Sequence, residues 1–445
     1  MKDHMIVVDL GYGDAGKGGV VDWLCARGDV TAVIRFNGGA QAGHNVVLPD
    51  GRHHTFAQFG SGTFRGVPTH LSRHMVVDPF ALSAEADHLR RLGVSQPYGM
   101  LTIDREALLA TPYHIAAGRD RERERGESRH GSCGMGVGEV MAYALENPFV
   151  APKVGDCERP GLLAQKLNLL RDRLGDRIGA DAPPVADCLA AYLAFAQRVR
   201  LVDPSYVSEL LRRRPVVFEG AQGVLLDEWH GFHPHTTWST TTFDNAFSLL
   251  DGEHAVRLGV LRTYTPRHGP GPLVTEDPEL SLPEPHNRSG PWQGPFRIGH
   301  FDAVAHRYAL AAAGGVDLLA LTHLDAPVSR MCDSYDIGEL PVEEKSEPVD
   351  QAGLAARLAR QSELTARLDK ALPHYVDGIS DWPTAVSEAL GVRVWLGSSG
   401  PTAHAKSLIP SASSRKTGVS FMGGARALRE RTERAEAGYR ALRWA

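Results

Sequence analysis

Asp14, Lys17 and His44 are three early residues whose types can do chemistry, and each stands in a glycine-rich stretch. Gly11, Gly16 and Lys17 have the G-x-x-x-x-G-K spacing of a P-loop, in which backbone N–H groups and a lysine cradle phosphates. Gly18 takes the place where Ser or Thr ordinarily holds magnesium, so the loop lacks that hydroxyl. Asp14 is the acid within the loop. A carboxylate facing a polyphosphate is repelled unless a cation or a proton intervenes, so Asp14 reads either as a metal ligand or as a base that meets a proton donor. His44 closes a second glycine-rich loop, Asn37 to Asn45, and its imidazole changes charge near neutrality. The plain alternative is a glycine turn with solvated Asp and Lys; the flanking sequence argues against it.

That flanking sequence must supply a strand before each loop. Met5 to Leu10 is a short apolar run of the kind expected for a strand buried on both faces. Gly11 to Gly19 holds five glycines, and Val20 to Ala26 reads as a helix. Strand, loop and helix together predict loop N–H groups and a helix N-terminus facing anionic oxygens. Val30 to Phe36 is a second strand, leading into the loop that ends at His44. His74 to Val77 reads as a strand and Leu82 to Leu92 as a helix. A charged tract at 118–130, read as solvated, leads into the third glycine loop, Gly131 to Gly138, which contains Cys133.

Residues 160–213 read as a largely helical insertion. Pro215 to Glu219 returns to strand and opens Phe218-Glu219-Gly220-Ala221-Gln222-Gly223-Val224-Leu225-Leu226-Asp227, followed by hydroxyl-rich Thr236 to Thr242. Residues 263–300, rich in Pro and Gly, are expected to form one long functional loop. Val316 to Leu321 is a strand ending in Thr322-His323-Leu324-Asp325, and Leu354 to Leu372 is an amphipathic helix. Val392 to Leu396 is a strand running into Gly397-Ser398-Ser399-Gly400-Pro401. Strands that repeatedly end in glycine or hydroxyl loops predict an α/β, P-loop-like nucleotide-binding fold. It has a large, mostly parallel central sheet, flanking helices and one composite site at the strand C-termini. Residues 1–410 are expected as a single large unit, with 411–445 a basic, then Glu/Arg-alternating surface helix.

Composition excludes other classes. The 445 residues are 42% hydrophobic and 23% charged, ordinary for a globular enzyme. A net charge of -5 argues against a nucleic-acid binder, and no apolar run approaches the roughly 20 residues of a membrane span. No apolar leader precedes the first strand, and the five scattered cysteines read as free thiols, so a cytoplasmic protein is expected.

Several of these loops, in this order, resemble the adenylosuccinate synthetase family. Gly13-Asp14-Ala15-Gly16-Lys17-Gly18 is similar to its G-D-E-G-K-G, and Arg35 to His44 to its R-x-x-G-G-x-N-A-G-H, with Gln41 in place of Asn. Phe218 to Asp227 matches F-E-G-A-Q-G-x-L-L-D, Leu324-Asp325 resembles the K-L-D guanine contact, and Ser398 to Pro401 resembles S-T-G-P. The resemblance implies a magnesium- and GTP-dependent ligase that phosphorylates O6 of a 6-oxopurine nucleotide, inosine monophosphate by default. The amine of aspartate then displaces that phosphate. It implies Asp14 and His44 as the catalytic pair, with Asp14 and the Gly43 carbonyl on the metal. GTP would lie on Gly13, Ala15, Gly16, Lys17, Gly18, Arg297, His323, Asp325, Ser398, Ser399 and Gly400. The substrate nucleotide would lie on Gln41, Ala42, Cys133, Gln222 and Thr237. It also implies a homodimer acting on small molecules.

Departures from the family pattern are specific. The first-loop Glu is Ala15, the lysine after the third loop glycine is Gly19, and Cys133 replaces a Thr. Of the stretch that supplies a partner-subunit arginine, only Lys153, offset, remains. The aspartate-binding T-T-G-R-x-R-R reads Pro291-Trp292-Gln293-Gly294-Pro295-Phe296-Arg297, with one arginine. Arg267, His268 and His300 are the candidates for the missing positive charge. Two alternatives follow: the same phosphoryl chemistry with another donor or nucleotide, or a non-catalytic nucleotide-binding switch.

Overall fold

A computed structural model describes residues 3–213, 215–287, 290, 292–343 and 351–410. Pro291 and the helix expected over 411–445 lie outside these residues. The strand His4–Asp9 lies inside a ten-stranded sheet with five neighbours on one side of it and four on the other. On one side come Ala255–Arg262, Leu318–Thr322, Val394–Ser398 and Lys406–Leu408. On the other come Val217–Gly223, Val33–Arg35, Thr69–Leu71, Leu101–Asp104 and Arg200–Val202. The described pairs are parallel except the last, Val394–Ser398 with Lys406–Leu408.

Both faces of this sheet are covered, which is why its strands are near-continuous apolar runs. Alternation sends Ile6 and Val8 into one core with Phe218 and Leu261, and Met5 and Val7 into another with Val217 and Val260. The helix Lys17–Arg27 packs on the second core, where Trp23 meets Trp395 edge-on at 5.6 Å. The helices Pro160–Leu174 and Val185–Ala196 form a third core with Leu71, Leu101 and Ile103. Arg200–Val202, which follows these helices, is one edge strand of the sheet, which the helical reading of 160–213 does not mark.

The expectation of one long loop over 263–300 is corrected. Tyr264–His268 and Phe296–Asp302 pair as antiparallel strands and head a second, four-stranded sheet with Arg330–Tyr335 and Pro373–Asp377. Pro266 sits on the edge strand, where its missing N–H is tolerated. His74 to Val77 contracts to the two-residue strand Val76–Val77, paired with Leu108–Leu109. The charged tract at 118–130 continues a helix, Pro112–Glu124, and Glu122 within it is buried. All five cysteines are free.

Candidate active site

Asp9 ends the first strand and organises the P-loop. Its buried carboxylate accepts from the N–H of Gly11 at 2.8 Å and of Gly13 at 3.2 Å through Oδ1, and from Ala15 at 2.7 Å through Oδ2. Three loop amides therefore face inward to Asp9, not outward to a ligand as the sequence reading had them. Lys17 turns the same way: its Nζ lies 3.2 Å from Asp9 Oδ2 and donates to the carbonyls of Gly13 and Gln222, each at 2.8 Å. Gly16 holds φ +94° at the helix N-cap, a conformation that favours glycine. Gly223 lets the strand Val217–Gly223 approach the loop, since a Cβ there would lie 2.2 Å from the Gly11 carbonyl oxygen.

A cavity of about 290 Å³ opens over the C-terminal ends of the central strands. It brings together Gly13, Asp14, Gly16, Lys17 and Gly18 from the first loop, Gly43 and His44 from the second, and His323, Asp325, Ser398 and Gly400 from later strands. Ala15, Ser399 and Arg297 do not line it, nor do Gln41, Ala42, Cys133, Gln222 and Thr237. Thr322, Arg262, Glu284, His286, Asn287 and Lys406, which the sequence reading did not choose, do line it.

Asp14 is half-buried, with Oδ2 3.0 Å from Nδ1 of His268. Burial works to raise its carboxyl pKa, but His268, Arg262 and Lys17 outweigh it and hold the group below its ordinary value. Of the three candidate cations only His268 reaches the site. Arg267 is buried over the Tyr12 ring, donating to the Pro272 carbonyl, and His300 faces Asp277 at 3.0 Å. Arg262 donates to the Asp14 carbonyl at 2.5 Å, to the Tyr264 hydroxyl at 2.7 Å and to Glu284 at 2.5 Å. It thereby ties the first loop to residues 283–287, which form part of the cavity wall.

His44 is buried, and its Nδ1 lies 2.6 Å from Oε1 of Glu219. Glu219 also accepts from the Ser61 N–H at 2.9 Å and the Ser61 hydroxyl at 2.5 Å. Burial opposes the Glu219 charge, but His44, Arg35 and Ser61 outweigh burial and hold its carboxyl low. Burial likewise drives His44 down to about 4, against the pull of Glu219. An ionised Glu219 takes the Nδ1–H of a neutral His44, so Nε2 is left as the lone-pair nitrogen. That Nε2 is buried with no partner among the described residues. Sequence reasoning assigned Glu219 no role; its signal was a carboxylate inside an otherwise apolar and glycine run.

At the other end of the cavity, burial pushes His323 down to about 2, so it is a neutral ring there, at φ +56°. Ser398 donates to the Gly400 carbonyl at 3.0 Å, shaping the turn. Asp325 is exposed, and no helix begins there for it to cap. The residues expected around a second nucleotide partly converge. The Gln41 side chain reaches Gln222 Oε1 at 3.4 Å, and Gln222 holds φ +62°. Thr237 binds the Leu226 carbonyl through its N–H at 2.8 Å, and Cys133 sits in the next loop, its thiol raised by burial.

Arg297 is committed to the connection that precedes its strand, donating to the carbonyls of Gly269 at 3.0 Å and Gly271 at 2.7 Å and to Glu276 at 2.6 Å. Trp292 instead sits among guanidinium groups: Arg119, Arg123 and Arg129 lie 5.5, 5.2 and 6.0 Å from its ring centre. The tract read as solvated charge thus turns part of itself inward.

Asp14 and Gly43 both line the cavity, and a carboxylate with a main-chain carbonyl is the kind of hard oxygen donor pair that a divalent cation takes. No cluster of three or more His, Cys, Asp or Glu side chains suited to a metal occurs among the described residues. One carboxylate and a carbonyl, completed by substrate phosphates and water, suit magnesium.

Comparison with known proteins bears on the family and the fold. The family model described as adenylosuccinate synthetase matches residues 6–366. The adenylosuccinate synthetase of Nostoc punctiforme is 33% identical over 363 residues, covering 75% of this chain and 77% of that protein. That of Mycolicibacterium vanbaalenii is 32% identical over 372 residues, covering 79% and 84%. Among solved structures, fully ligated adenylosuccinate synthetase from Plasmodium falciparum superposes with a TM-score of 0.74 at 21% identity, over 92% of this chain and 100% of that one. The succinoaminodeoxyadenylate synthetase of cyanophage S-2L, bound to dGMP and dATP, gives 0.60 at 19% identity, over 98% and 99%. These likenesses show the fold, and no helix among the described residues is long and apolar enough to cross a membrane. The family match and the curated relatives together establish that the chain belongs to the adenylosuccinate synthetase family of GTP-dependent ligases.

Proposed function

We propose that this enzyme uses GTP to phosphorylate O6 of inosine monophosphate and then replaces the phosphate with the amine of L-aspartate. In the first step the O6–Pγ bond forms and the bond from Pγ to the β,γ-bridging oxygen breaks, while the N1 proton passes to Asp14. In the second the amine nitrogen bonds to C6, the C6–O6 bond breaks, and phosphate leaves as the amine loses its proton. Splitting the exchange in two converts a poor leaving group into a good one. The observation that carries the reading is the convergence of Asp14, Lys17 and His44 on one cavity with Asp325 on its wall.

Asp14 is an ionised, weakly basic carboxylate, so its proton transfer must be nearly concerted with attack by O6. Asp14 and the Gly43 carbonyl would hold magnesium, which neutralises charge on the phosphates when bound. His44 meets the departing β-phosphate through Nε2; an arriving anion and Glu219 on the opposite nitrogen both favour the imidazolium that can donate there. Asp325 accepts from N1 and N2 of guanine, the edge that presents two donors. Gln41, Ala42, Gln222, Thr237 and Cys133 line the inosine monophosphate side, and Ala15 and Ser399 support the GTP loops from behind, whereas Arg297, bonded to Gly269, Gly271 and Glu276, has no part in the GTP site.

Aspartate brings two carboxylates, which call for cations. Arg297 is already committed, whereas Arg119, Arg123 and Arg129 gather at Trp292 with no carboxylate in an ion pair among the described residues. They are the source of the donor-binding charge in this reading. The test is phosphate release with GTP, inosine monophosphate and aspartate. Turnover that Asp14→Asn abolishes is expected. No turnover with aspartate, but turnover with another amine, would assign a different donor; guanine nucleotide binding without any turnover would mark a switch.

A further inference from the structure

Lys406 opens the strand Lys406–Leu408 and pairs antiparallel with Ser398, so it enters the cavity from the sheet's last strand. Its side chain is 7% exposed. Among the described residues its Nζ is held only by carbonyl oxygens of one turn, Thr402 at 3.1 Å, Pro401 at 3.3 Å and Gly400 at 3.5 Å. Each contact is longer than the 2.7–2.9 Å typical of a charge-assisted hydrogen bond. No carboxylate lies within ion-pair distance of it among the described residues, and the acid that acts on it, Asp22, is already held bidentately by Arg65 at 2.7 and 2.8 Å. A buried ammonium in this state lacks a counter-charge.

What faces it is the start of the P-loop helix. A Cβ on Gly19 would lie 3.1 Å from Lys406 Nζ and 3.3 Å from its Cε. Gly19 is two residues beyond Lys17, in the first helical turn, where free N–H groups and the helix dipole receive phosphate. Lys17 itself is turned inward onto Asp9, so the loop's own lysine is largely committed. Gly19 is also the position where the loop lacks a second lysine. The space that such a side chain would occupy is filled by the ammonium of a residue from a different strand.

We propose that Lys406 is a phosphate-binding residue of the donor-nucleotide site, its ammonium meeting the nucleotide phosphates beside the first turn of the P-loop helix. The inference rests on the reading of this cavity as a guanine nucleotide site. It moves a cation from the loop to the last strand, with Gly19 leaving room for it.

The test measures binding of guanosine, GMP and GDP to the full chain by titration calorimetry with magnesium present. Lys406→Met is expected to weaken GDP and GMP by about ten- to a hundredfold, the loss of one charge-assisted contact, and to leave guanosine unchanged. Adding Gly19→Lys to that variant is expected to recover most of the loss. GMP and GDP affinities equal to wild type would overturn the proposal. So would an equal loss for guanosine, which would put the ammonium on the base. Should Lys406→Met fail to fold, Lys406→Gln is read the same way. Wild-type protein that binds none of the three would overturn the site reading itself, a distinct outcome.

Discussion

Glu219→Gln tests the link between the buried network and the chemistry. The wild-type carboxylate takes the Nδ1–H of His44 and two donors from Ser61, and it counterbalances the guanidinium of Arg35. A glutamine oxygen can still accept from His44 and the Ser61 hydroxyl, but its amide NH₂ then confronts the Ser61 N–H, donor against donor. One buried N–H left unsatisfied costs about 1–3 kcal/mol. Losing the charge weakens the His44 contact by about 1 kcal/mol and removes support for the imidazolium form. If the imidazolium forms only as phosphate departs, this second part falls on the transition state, whereas the unsatisfied N–H is common to both states and lowers stability instead. A loss of about 1 kcal/mol then lowers kcat about fivefold, while KM for GTP changes little. Steady-state phosphate release gives both constants, and nitrogen-15 shifts of His44 report its tautomer. A kcat within twofold of wild type, with His44 still carrying its proton on Nδ1, would refute the role assigned to the pair.

Other consequences are as direct. Gly223→Ala places a Cβ 2.2 Å from the Gly11 carbonyl and 2.5 Å from the Gly13 N, so it should destabilise the fold by about 2–4 kcal/mol; denaturant unfolding measures this. Arg129→Ala should raise KM for aspartate severalfold and leave KM for GTP unchanged; equal effects on both would remove the arginines around Trp292 from the donor site. Burial drives His70 and His114 down to about 3 and His306 to about 4, so each is neutral in the fold. The unfolded chain binds those protons first as pH falls below about 6.5, so each site removes up to about 1.4 kcal/mol of stability per pH unit until its folded value is reached. A melting temperature unchanged between pH 7 and pH 5 would contradict their burial.

What the sequence made legible were local patterns. A strand followed by glycines or hydroxyls announced the first loop, the Arg35–His44 loop and the turns at 322–325 and 398–401, because the backbone geometry there depends on neighbours in the chain. The partners that decide the chemistry come from far along it. His268 reaches Asp14 across 254 residues and Glu219 reaches His44 across 175. Asp9 drew no notice inside the Met5 to Leu10 run, and only the fold shows it gathering three loop amides. The pair Tyr264–His268 and Phe296–Asp302 escaped notice because Pro266 and the glycines between mimic a loop. Lys406 had no motif at all: its place beside Gly19 exists only once the last strand has paired.

The central claim, that Asp14 and His44 drive phosphoryl transfer to O6 before any amine reacts, is reached most directly by positional isotope exchange. GTP carrying oxygen-18 in its β,γ-bridge is incubated with enzyme, magnesium and inosine monophosphate in the absence of aspartate. The account predicts that label moves from the bridge to non-bridging β positions, that this needs inosine monophosphate, and that Asp14→Asn stops it. Active wild-type enzyme that leaves the bridge label in place, or an Asp14→Asn variant that scrambles it as fast as wild type, would contradict the account.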